Sequence, residues 1–233
     1  MAGEEQIKGL DVIVILGGDG AILHAAVAAA KNNVKIVGVN YGTLGFLTEY
    51  EKIDLLKVVT LLEHLKKEQC RILHRTLLEI NVKGNTYYAL NEVAFQRDYT
   101  GQGPTKKQII SVEVCVGKEN ATFSGDGVLL CTPTGSTAYS LSAGGAILSA
   151  EVPAFMLTPI CAFSFNSRPI VFPDTDVFVT RIVSGKALLV SDGNVLETVE
   201  ESDEIIIKKA PFTADFPVES NSCLLTKIKN KLK

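Results

Sequence analysis

The feature that most constrains the fold is a glycine-rich turn between an apolar segment and an alanine-rich one. Residues 11–15 form a short segment rich in β-branched side chains, which predicts a buried strand. Residues 22–30 are rich in alanine and favour a helix. The turn between them is Leu16-Gly17-Gly18-Asp19-Gly20. Because glycine lets the backbone approach a ligand, the amides of this turn can face an anion at the helix N-terminus. The pattern predicts an α/β unit with a phosphate-binding turn.

Asp19 is the unusual member of this turn. A phosphate repels a neighbouring carboxylate, so the residue needs a chemical role, either holding a metal through water or taking a proton from an attacking hydroxyl. The alternative is that Asp-Gly is simply good turn chemistry. These few residues do not separate the two interpretations. The turn lacks both the Gly-Lys-Ser/Thr of a Walker loop and the spaced glycines of a Rossmann turn.

A second apolar segment, residues 34–40, predicts another buried strand that ends in a glycine-bearing loop over residues 40–47. Two consecutive strand–helix units place both loops at one edge of a parallel sheet, where ligands bind in open α/β folds. Phe46 packs either over a ligand or in the core below the loop, and the sequence leaves both open.

The remainder of the first 70 residues predicts an amphipathic helix over residues 53–68. Its expected apolar face is formed by Ile53, Leu56, Val59 or Thr60, and Leu62 or Leu65.

At about Arg71 the apolar period becomes that of strands, and residues 77–82 and 86–90 flank a hairpin turn. Residues 91–95 are expected to continue the second arm of this hairpin, and residues 98–104 predict a loop. Further strands are expected at 110–116, 156–162, 177–183, 187–191 and 204–208. We therefore expect an α/β domain with a parallel sheet over residues 1–70. A mainly antiparallel β domain with one embedded helix follows over residues 71–211. The tail, residues 212–233, includes a weak amphipathic helix that could dock back on the first domain.

Composition narrows the class of protein. Of the 233 residues, 46% are hydrophobic and 21% charged, which is ordinary for a soluble globular protein. A net charge of −3 argues against a nucleic-acid partner, and no apolar run reaches the length of a membrane span. Five scattered cysteines without a C-x-x-C pair, and no secretory signal, predict a cytoplasmic location. The basic cluster at 227–233 is expected to be a solvated helix end.

A second signature spans residues 124–145. It begins with Gly125-Asp126-Gly127, continues through an apolar strand, and opens a helix through Thr132-Pro133-Thr134-Gly135-Ser136-Thr137-Ala138-Tyr139. Hydroxyls and free amides at a helix start suit phosphate or ribose oxygens, and Tyr139 could stack on a base. Capping and packing explain each piece alone, but the combination is too elaborate for capping and predicts a nucleotide site.

Together with the 40–46 loop and Asn91-Glu92, these two signatures resemble the NAD kinase family in order and spacing. Residues 167–171 and 191–194 resemble that family's later strand motifs, so the resemblance covers nearly the whole chain. Gly-Gly-Asp-Gly is shared with lipid kinases and phosphofructokinases, whereas the Thr-Pro-Thr-Gly-Ser-Thr-Ala-Tyr run is strongly specific. The resemblance implies a two-domain NAD kinase-like fold and phosphorylation of the adenosine ribose 2′-hydroxyl of NAD to give NADP.

The resemblance also implies roles for individual residues. Asp19 would be the general base, and Asn91 and Glu92 would hold ribose and adenine groups. The implied NAD-binding residues are Asp19, Gly20, Phe46, Asn91, Glu92, Asp126, Ser136, Thr137, Ala138, Tyr139, Ser142, Asp192 and Asn194. The phosphate donor would lie against Gly17, Gly18, Gly20 and His24.

The implied cofactors are Mg²⁺ or another divalent cation, with ATP or polyphosphate as phosphate donor, and no side chain is assigned as a metal ligand. The expected partners are NAD and ATP, with no nucleic acid and no membrane, in a homodimer or homotetramer.

The chain departs from the family pattern in three places. Members usually have a strand and a helix before the Gly-Gly-Asp-Gly strand, Ala21 stands where threonine is common, and Ser124 stands where arginine is frequent. His24 could partly replace the missing cation, or it could be a core histidine on the helix face. Two alternatives to an NAD kinase therefore stay open. One is a truncated paralogue that binds dinucleotide without catalysis, and the other is a related kinase for a lipid or sugar hydroxyl.

Overall fold

The computed structural model describes residues 4–42, 45–98, 109–164, 167–218 and 224–231. The chain divides into two compact units. The first unit comprises Met1–Arg75 and Phe212–Lys233, and the second comprises Thr76–Pro211. Within the described ranges, no helix combines the length and apolar character needed to cross a membrane.

The secondary structure of the described residues alternates helices and strands at first and is mostly strands thereafter. The helices are α1 (Glu4–Ile7), α2 (Asp19–Lys31), α3 (Leu55–Lys66), α4 (Tyr139–Ser142) and α5 (Leu224–Lys231). Short 3₁₀ turns cover Lys52–Asp54 and Gly135–Thr137. The strands are β1 (Val12–Leu16), β2 (Lys35–Asn40), β3 (Tyr50–Glu51), β4 (Arg71–Val82), β5 (Asn85–Ala89), β6 (Glu92–Arg97), β7 (Ile110–Val116), β8 (Glu119–Gly125), β9 (Gly127–Cys131), β10 (Ala154–Ile160), β11 (Ile170–Pro173), β12 (Phe178–Ser184), β13 (Ala187–Ser191), β14 (Asn194–Val199) and β15 (Glu204–Val218).

The first unit contains a parallel sheet in the order β1-β2-β3, which confirms the expected α/β class. The prediction that residues 11–15 form a buried strand was wrong, because β1 lies at the edge of this sheet. Val14 and Leu16 are 41% and 58% exposed. A β-branched run indicates a strand, but burial depends on whether neighbours cover both of its sides.

Helix α3 buries a different face from the predicted one. Ile53 and Leu56 are 89% and 84% exposed, and Val59 is also exposed. Val58 and Leu61 are buried instead, against a cluster that includes Val37, Val39 and Tyr50. Apolar residues lie on more than one side of this helix, so its own pattern does not select the buried side. Packing against the sheet makes that selection.

The second unit is built on two six-stranded sheets. Their strand orders are β11-β10-β9-β6-β13-β14 and β5-β4-β15-β12-β7-β8, and β4 and β15 continue past the unit boundary into the first unit. The β10–β9, β6–β9, β12–β7 and β13–β14 pairs are all antiparallel, which confirms the expected β domain. One apolar cluster joins strands of both sheets, with Phe155 and Phe178 packed edge to face at 6.3 Å.

Several elements differ from the sequence expectations in extent. Strand β15 continues to Val218 instead of ending near 208, and β3, β8 and β14 were not predicted as strands. The prediction that residues 91–95 continue the second hairpin arm was wrong, because β5 ends at Ala89 and β6 pairs in the other sheet. The embedded helix is only a 3₁₀ turn followed by the four-residue α4. The predicted loop at 98–104 lies outside the described residues except for Asp98. A strand whose side chains do not alternate in polarity carries little local signal.

Candidate active site

The glycine turn opens α2 without a side-chain cap. Gly18 is the N-cap, and a Cβ added at Gly18 or Gly20 would meet no atom of the described residues within 4 Å. Gly17 instead joins the sheet, where its N–H donates to the Val39 carbonyl at 2.9 Å. The first N–H groups of a helix generally lack a partner within it, although here the N–H of Ala21 donates to the Gly18 carbonyl at 3.0 Å. The start of α2 can therefore receive an anion through its backbone.

Asp19 is held by the loop that follows β2. Its Oδ2 accepts a hydrogen bond from the N–H of Phe46 at 2.8 Å, and its Oδ1 accepts one from the N–H of Leu47 at 3.0 Å. A carboxylate oxygen has two lone pairs and can accept more than one hydrogen bond. The carboxylate is therefore oriented before any substrate binds.

Gly45 allows this loop to come so close to the carboxylate. A Cβ at Gly45 would lie 1.8 Å from Oδ1 of Asp19, far inside any allowed contact. Phe46 as a whole is only 9% exposed. Of the two roles that the sequence left open for Phe46, the structure places the ring in the interior, and the backbone N–H is the group that meets Asp19.

A buried cation accompanies the carboxylates of this unit. Arg75 is 6% exposed, and its guanidinium carbon lies 5.0 Å from the centre of the Phe216 ring. Burial lowers the pKa of Arg75 to about 10, while the charges of Glu49 and Asp19 act in the opposite direction. Arg75 therefore remains positive at neutral pH and offsets part of the negative charge around Asp19.

A groove of about 820 Å³ lies in the first unit between β1 and the beginning of α2. Gly20, Ala21 and His24 are among its lining residues, whereas Gly17 and Gly18 are not. His24 is exposed, so the alternative of a core histidine was wrong. The groove therefore brings together two of the four residues expected on the phosphate-donor side.

In the second unit, Asp192 organises the start of β6. Its Oδ1 accepts the N–H groups of Asn91 at 2.8 Å and Glu92 at 3.1 Å, and its Oδ2 accepts the N–H of Leu90 at 2.8 Å. Asp192 has φ of +46°, a conformation that aspartate tolerates better than most residues. The exposed Asn194 donates from its side chain to the Asp192 carbonyl at 3.3 Å. Both oxygens of Asp192 are thus engaged by the backbone that presents Asn91 and Glu92.

Glu92 is a buried carboxyl group with one oxygen that lacks a hydrogen-bond partner among the described residues. The residue is 7% exposed, and its Oε2 has no hydrogen-bond partner in the described structure. Burial, followed by the charge of Asp192, raises the pKa of Glu92 to about 8, and a backbone bond from Tyr139 opposes this shift. Glu92 is therefore mostly protonated at neutral pH and can donate a hydrogen bond to a ligand.

The hydroxyls of the Thr-Pro-Thr-Gly-Ser-Thr run mainly build their own turn. Ser136 is fully buried, and its Oγ donates to the Pro133 carbonyl at 2.6 Å and accepts the Leu148 N–H at 2.9 Å. Thr137 donates to the Thr134 carbonyl at 3.3 Å. A Cβ at Gly135 would lie 2.1 Å from the Asn91 carbonyl oxygen. Only glycine permits this turn to pack directly against Asn91.

The remaining expected residues occupy less enclosed positions. Ala138 and Tyr139 are half-buried, and Tyr139 packs against a small apolar cluster that includes Met156. Ser142 is exposed. Asp126, between β8 and β9, has its Oδ1 3.4 Å from the Arg97 guanidinium.

Sequence reasoning missed Glu49, Arg75, Arg97 and Lys227, which all contact or surround expected site residues. No motif marks these four charged residues. A charged residue inside an apolar segment is the one available signal, and Arg75 at the beginning of a long strand carries it weakly.

Among the described residues, no group of three or more His, Cys, Asp or Glu side chains is placed to hold a metal ion. Mg²⁺ often binds through one or two carboxylates together with substrate phosphates and waters. A single carboxylate beside an anion-binding helix start, as at Asp19, fits an ion that is carried by a nucleotide.

Comparison with known families agrees with the two units of the fold. Residues 2–70 match the family model of the ATP-NAD kinase N-terminal domain, and residues 90–217 match that of the ATP-NAD kinase C-terminal domain.

Curated relatives extend the match along the chain. An NAD kinase of Heliobacterium modesticaldum is 39% identical over 214 residues, which is 88% of this chain and 72% of the relative. An NAD kinase of Carboxydothermus hydrogenoformans is 34% identical over 238 residues, covering 99% of this chain and 82% of the relative.

Solved structures share the architecture. Yeast NADH kinase complexed with NADH superposes with a TM-score of 0.88 at 30% identity, over 99% of this chain and 68% of that one. An NAD kinase from Archaeoglobus fulgidus in complex with ATP gives a TM-score of 0.80 at 27% identity, over 99% and 87% of the two chains. The fold and the matched domains define a small-molecule phosphotransferase. The chain belongs to the NAD kinase family.

Proposed function

We propose that this chain transfers the γ-phosphoryl group of ATP to the 2′-hydroxyl of the adenosine ribose of NAD. The bond between the γ-phosphorus and the bridging oxygen of ATP breaks, a bond from phosphorus to the ribose oxygen forms, and the products are NADP and ADP. The observation that carries this proposal is the pair of N–H bonds that orient Asp19 at the uncapped start of α2. The Archaeoglobus kinase complex supports ATP as the phosphate donor.

In the proposed mechanism, Asp19 accepts the proton of the attacking hydroxyl. A carboxylate is a weak base, so the contribution of Asp19 is chiefly positional. Phosphoryl transfer depends mainly on alignment and on neutralisation of charge. Amides at the start of α2 would contact the phosphates at Gly18 and Gly20, with His24 along the same groove. A divalent cation, when bound with ATP, would neutralise phosphate charge beside Asp19.

The acceptor would be recognised by the second unit. Asn91, protonated Glu92 and the 137–142 segment would hydrogen-bond ribose and adenine groups, with the Tyr139 ring against the base. Asp192 would act by holding Asn91 and Glu92 in place, since its own oxygens accept backbone N–H groups.

The other expected NAD-binding residues receive roles that follow their surroundings. Ser136 would shape the turn, Phe46 would act through its N–H, and Asp126 would contact the nicotinamide end beside Arg97. Ser142 and Asn194 would lie at the solvent side of the ligand. The yeast complex with NADH supports a dinucleotide as the ligand of this fold.

The test is to incubate the purified chain with NAD, ATP and Mg²⁺ and to detect NADP with an NADP-specific dehydrogenase. Asp19→Asn keeps the shape of the side chain but cannot take the proton, and its amide nitrogen cannot accept one of the two loop N–H groups, so kcat should fall by about 10²–10⁴-fold. The KM for NAD should change far less. Asp11→Asn, an exposed carboxylate before β1, is the matched control and should retain full activity.

Three results would contradict the proposal. Unchanged turnover in Asp19→Asn would remove the base role. NAD binding by calorimetry without NADP formation would indicate a dinucleotide-binding protein instead of a kinase. Phosphorylation of a lipid or sugar hydroxyl but not of NAD would indicate the related kinase class.

We also propose a cytoplasmic homodimer or homotetramer, as the family resemblance implies. Light scattering coupled to size-exclusion chromatography measures the oligomer, and a mass of 25.1 kDa would indicate a monomer instead.

A further inference from the structure

The loop that holds Asp19 is itself held by a lysine of the C-terminal helix. In α5, Nζ of Lys227 lies 3.5 Å from the Phe46 carbonyl oxygen and forms a 2.5 Å ion pair with Glu49. All of these residues belong to the first unit. The lysine therefore reaches, from 181 positions along the chain, the backbone that contacts the proposed catalytic carboxylate.

The two contacts meet at a single peptide group. The carbonyl of Phe46 and the N–H of Leu47 belong to the same planar unit, so a rotation that moves one moves the other. Lys227 lies at the carbonyl end of this unit, and Oδ1 of Asp19 accepts from its N–H end at 3.0 Å. A positive charge at the carbonyl also polarises the peptide and strengthens its N–H as a donor.

The surroundings of Lys227 differ from those of an ordinary surface lysine. The side chains of Lys227 and Glu49 are 21% and 15% exposed, so solvent screens their attraction only in part. The expectation that the basic cluster is a solvated helix end was therefore wrong for Lys227. Lys229, two positions further along the same helix, is exposed as expected.

We propose that Lys227 is a positioning residue for phosphoryl transfer, which sets the orientation of Asp19 through the peptide between Phe46 and Leu47. Glu49 orients the lysine, and the lysine fixes the peptide whose N–H orients the carboxylate. The catalytic part of this inference rests on the proposed function, whereas the structural part does not.

The experiment compares Lys227→Met and Lys227→Arg with Lys229→Met, the matched control on the same helix. Hydrogen exchange of the Phe46 and Leu47 amides reports on the loop without any need for catalysis. Lys227→Met should speed this exchange by about tenfold and lower kcat by about 10–100-fold, with little change in the KM for NAD. Lys227→Arg should keep amide exchange and kcat closer to the native values than Lys227→Met does. Lys229→Met should change neither amide exchange nor kcat.

Glu49→Gln serves as a second route to the same answer if Lys227→Met does not fold. It keeps the acceptor shape but removes the charge that orients Lys227, so amide exchange should rise and kcat should fall in the same directions by smaller factors. Thermal melting of each variant shows whether it is folded at the assay temperature.

Unchanged amide exchange in Lys227→Met or in Glu49→Gln would overturn the inference. Faster exchange with an unchanged kcat would also overturn it, because Lys227 would then support the loop without serving the reaction. If the native chain forms no NADP, the proposed function fails and only the exchange data decide whether Lys227 holds the loop.

Discussion

Replacing Gly45 by alanine should separate Asp19 from the loop that orients it. The added Cβ would lie 1.8 Å from Oδ1 of Asp19, and real Cβ contacts are essentially never shorter than 3.0 Å. The loop or the carboxylate must therefore move by at least 3.0 − 1.8 = 1.2 Å. A displacement of about 1 Å at a catalytic group can cost about 10²-fold in rate, or about 2.7 kcal/mol in activation free energy.

The assay for Gly45→Ala measures kcat for NADP formation at saturating NAD and ATP. Gly42→Ala is the control, because Gly42 is in the same loop and a Cβ there would meet no atom of the described residues within 4 Å. We expect kcat to fall about 100-fold for Gly45→Ala and to stay within about twofold for Gly42→Ala.

A double-mutant cycle based on unfolding free energies tests the same clash independently of catalysis. In the native background, Gly45→Ala should lower the free energy of unfolding, because hydrogen bonds to a charged group contribute about 1.5–3 kcal/mol each and two are at risk. In an Asp19→Ala background the clashing oxygen is gone, so the same change should cost less. Equal costs in the two backgrounds, or equal kcat values for the two glycine variants, would refute the reasoning.

Two further predictions concern the second unit. The pKa of Glu92 is raised to about 8 in the folded chain, against 4.5 for an ordinary glutamate. Between these two pH values the native state keeps a proton that the unfolded state has lost. The unfolding free energy should therefore fall as pH rises from about 4.5 to about 8. Glu92→Gln should flatten this dependence in urea titrations, and an identical slope in both proteins would contradict it. Asp192→Asn tolerates the left-handed backbone and keeps one acceptor oxygen, but its amide cannot accept the Leu90 N–H. Asp192→Asn should lower the free energy of unfolding by about 1–3 kcal/mol. An unchanged urea denaturation curve would show that the hydrogen bond from the Leu90 N–H contributes nothing to stability.

Local patterns predicted the classes of the elements well and their burial poorly. The glycine turn after β1 and the two-residue period after residue 71 identified a parallel α/β region and an antiparallel β region, because both signals depend on adjacent residues. The same patterns failed for β1 and α3. Val14 and Leu56 are as apolar as core residues, yet they are exposed because no described neighbour covers them.

Some residues of the candidate site belong to sequence motifs, whereas others are recognised only from tertiary contacts. The motifs pointed to Asp19, Asn91 and Glu92 before any geometry was known. They carried no sign of Arg75 or Lys227, because a single lysine or arginine has no periodicity and no fixed spacing from its partner.

The sequence by itself therefore determined the order of the elements, the positions of the glycine turns and the membership in the NAD kinase family. Only the tertiary structure decided that the peptide after Phe46 orients Asp19, that Glu92 is protonated, and that Lys227 reaches the loop. These properties depend on contacts between residues 28 to 181 positions apart and on exclusion of water. Local sequence patterns encode neither these long-range contacts nor the exclusion of water, because both arise only when distant segments pack together.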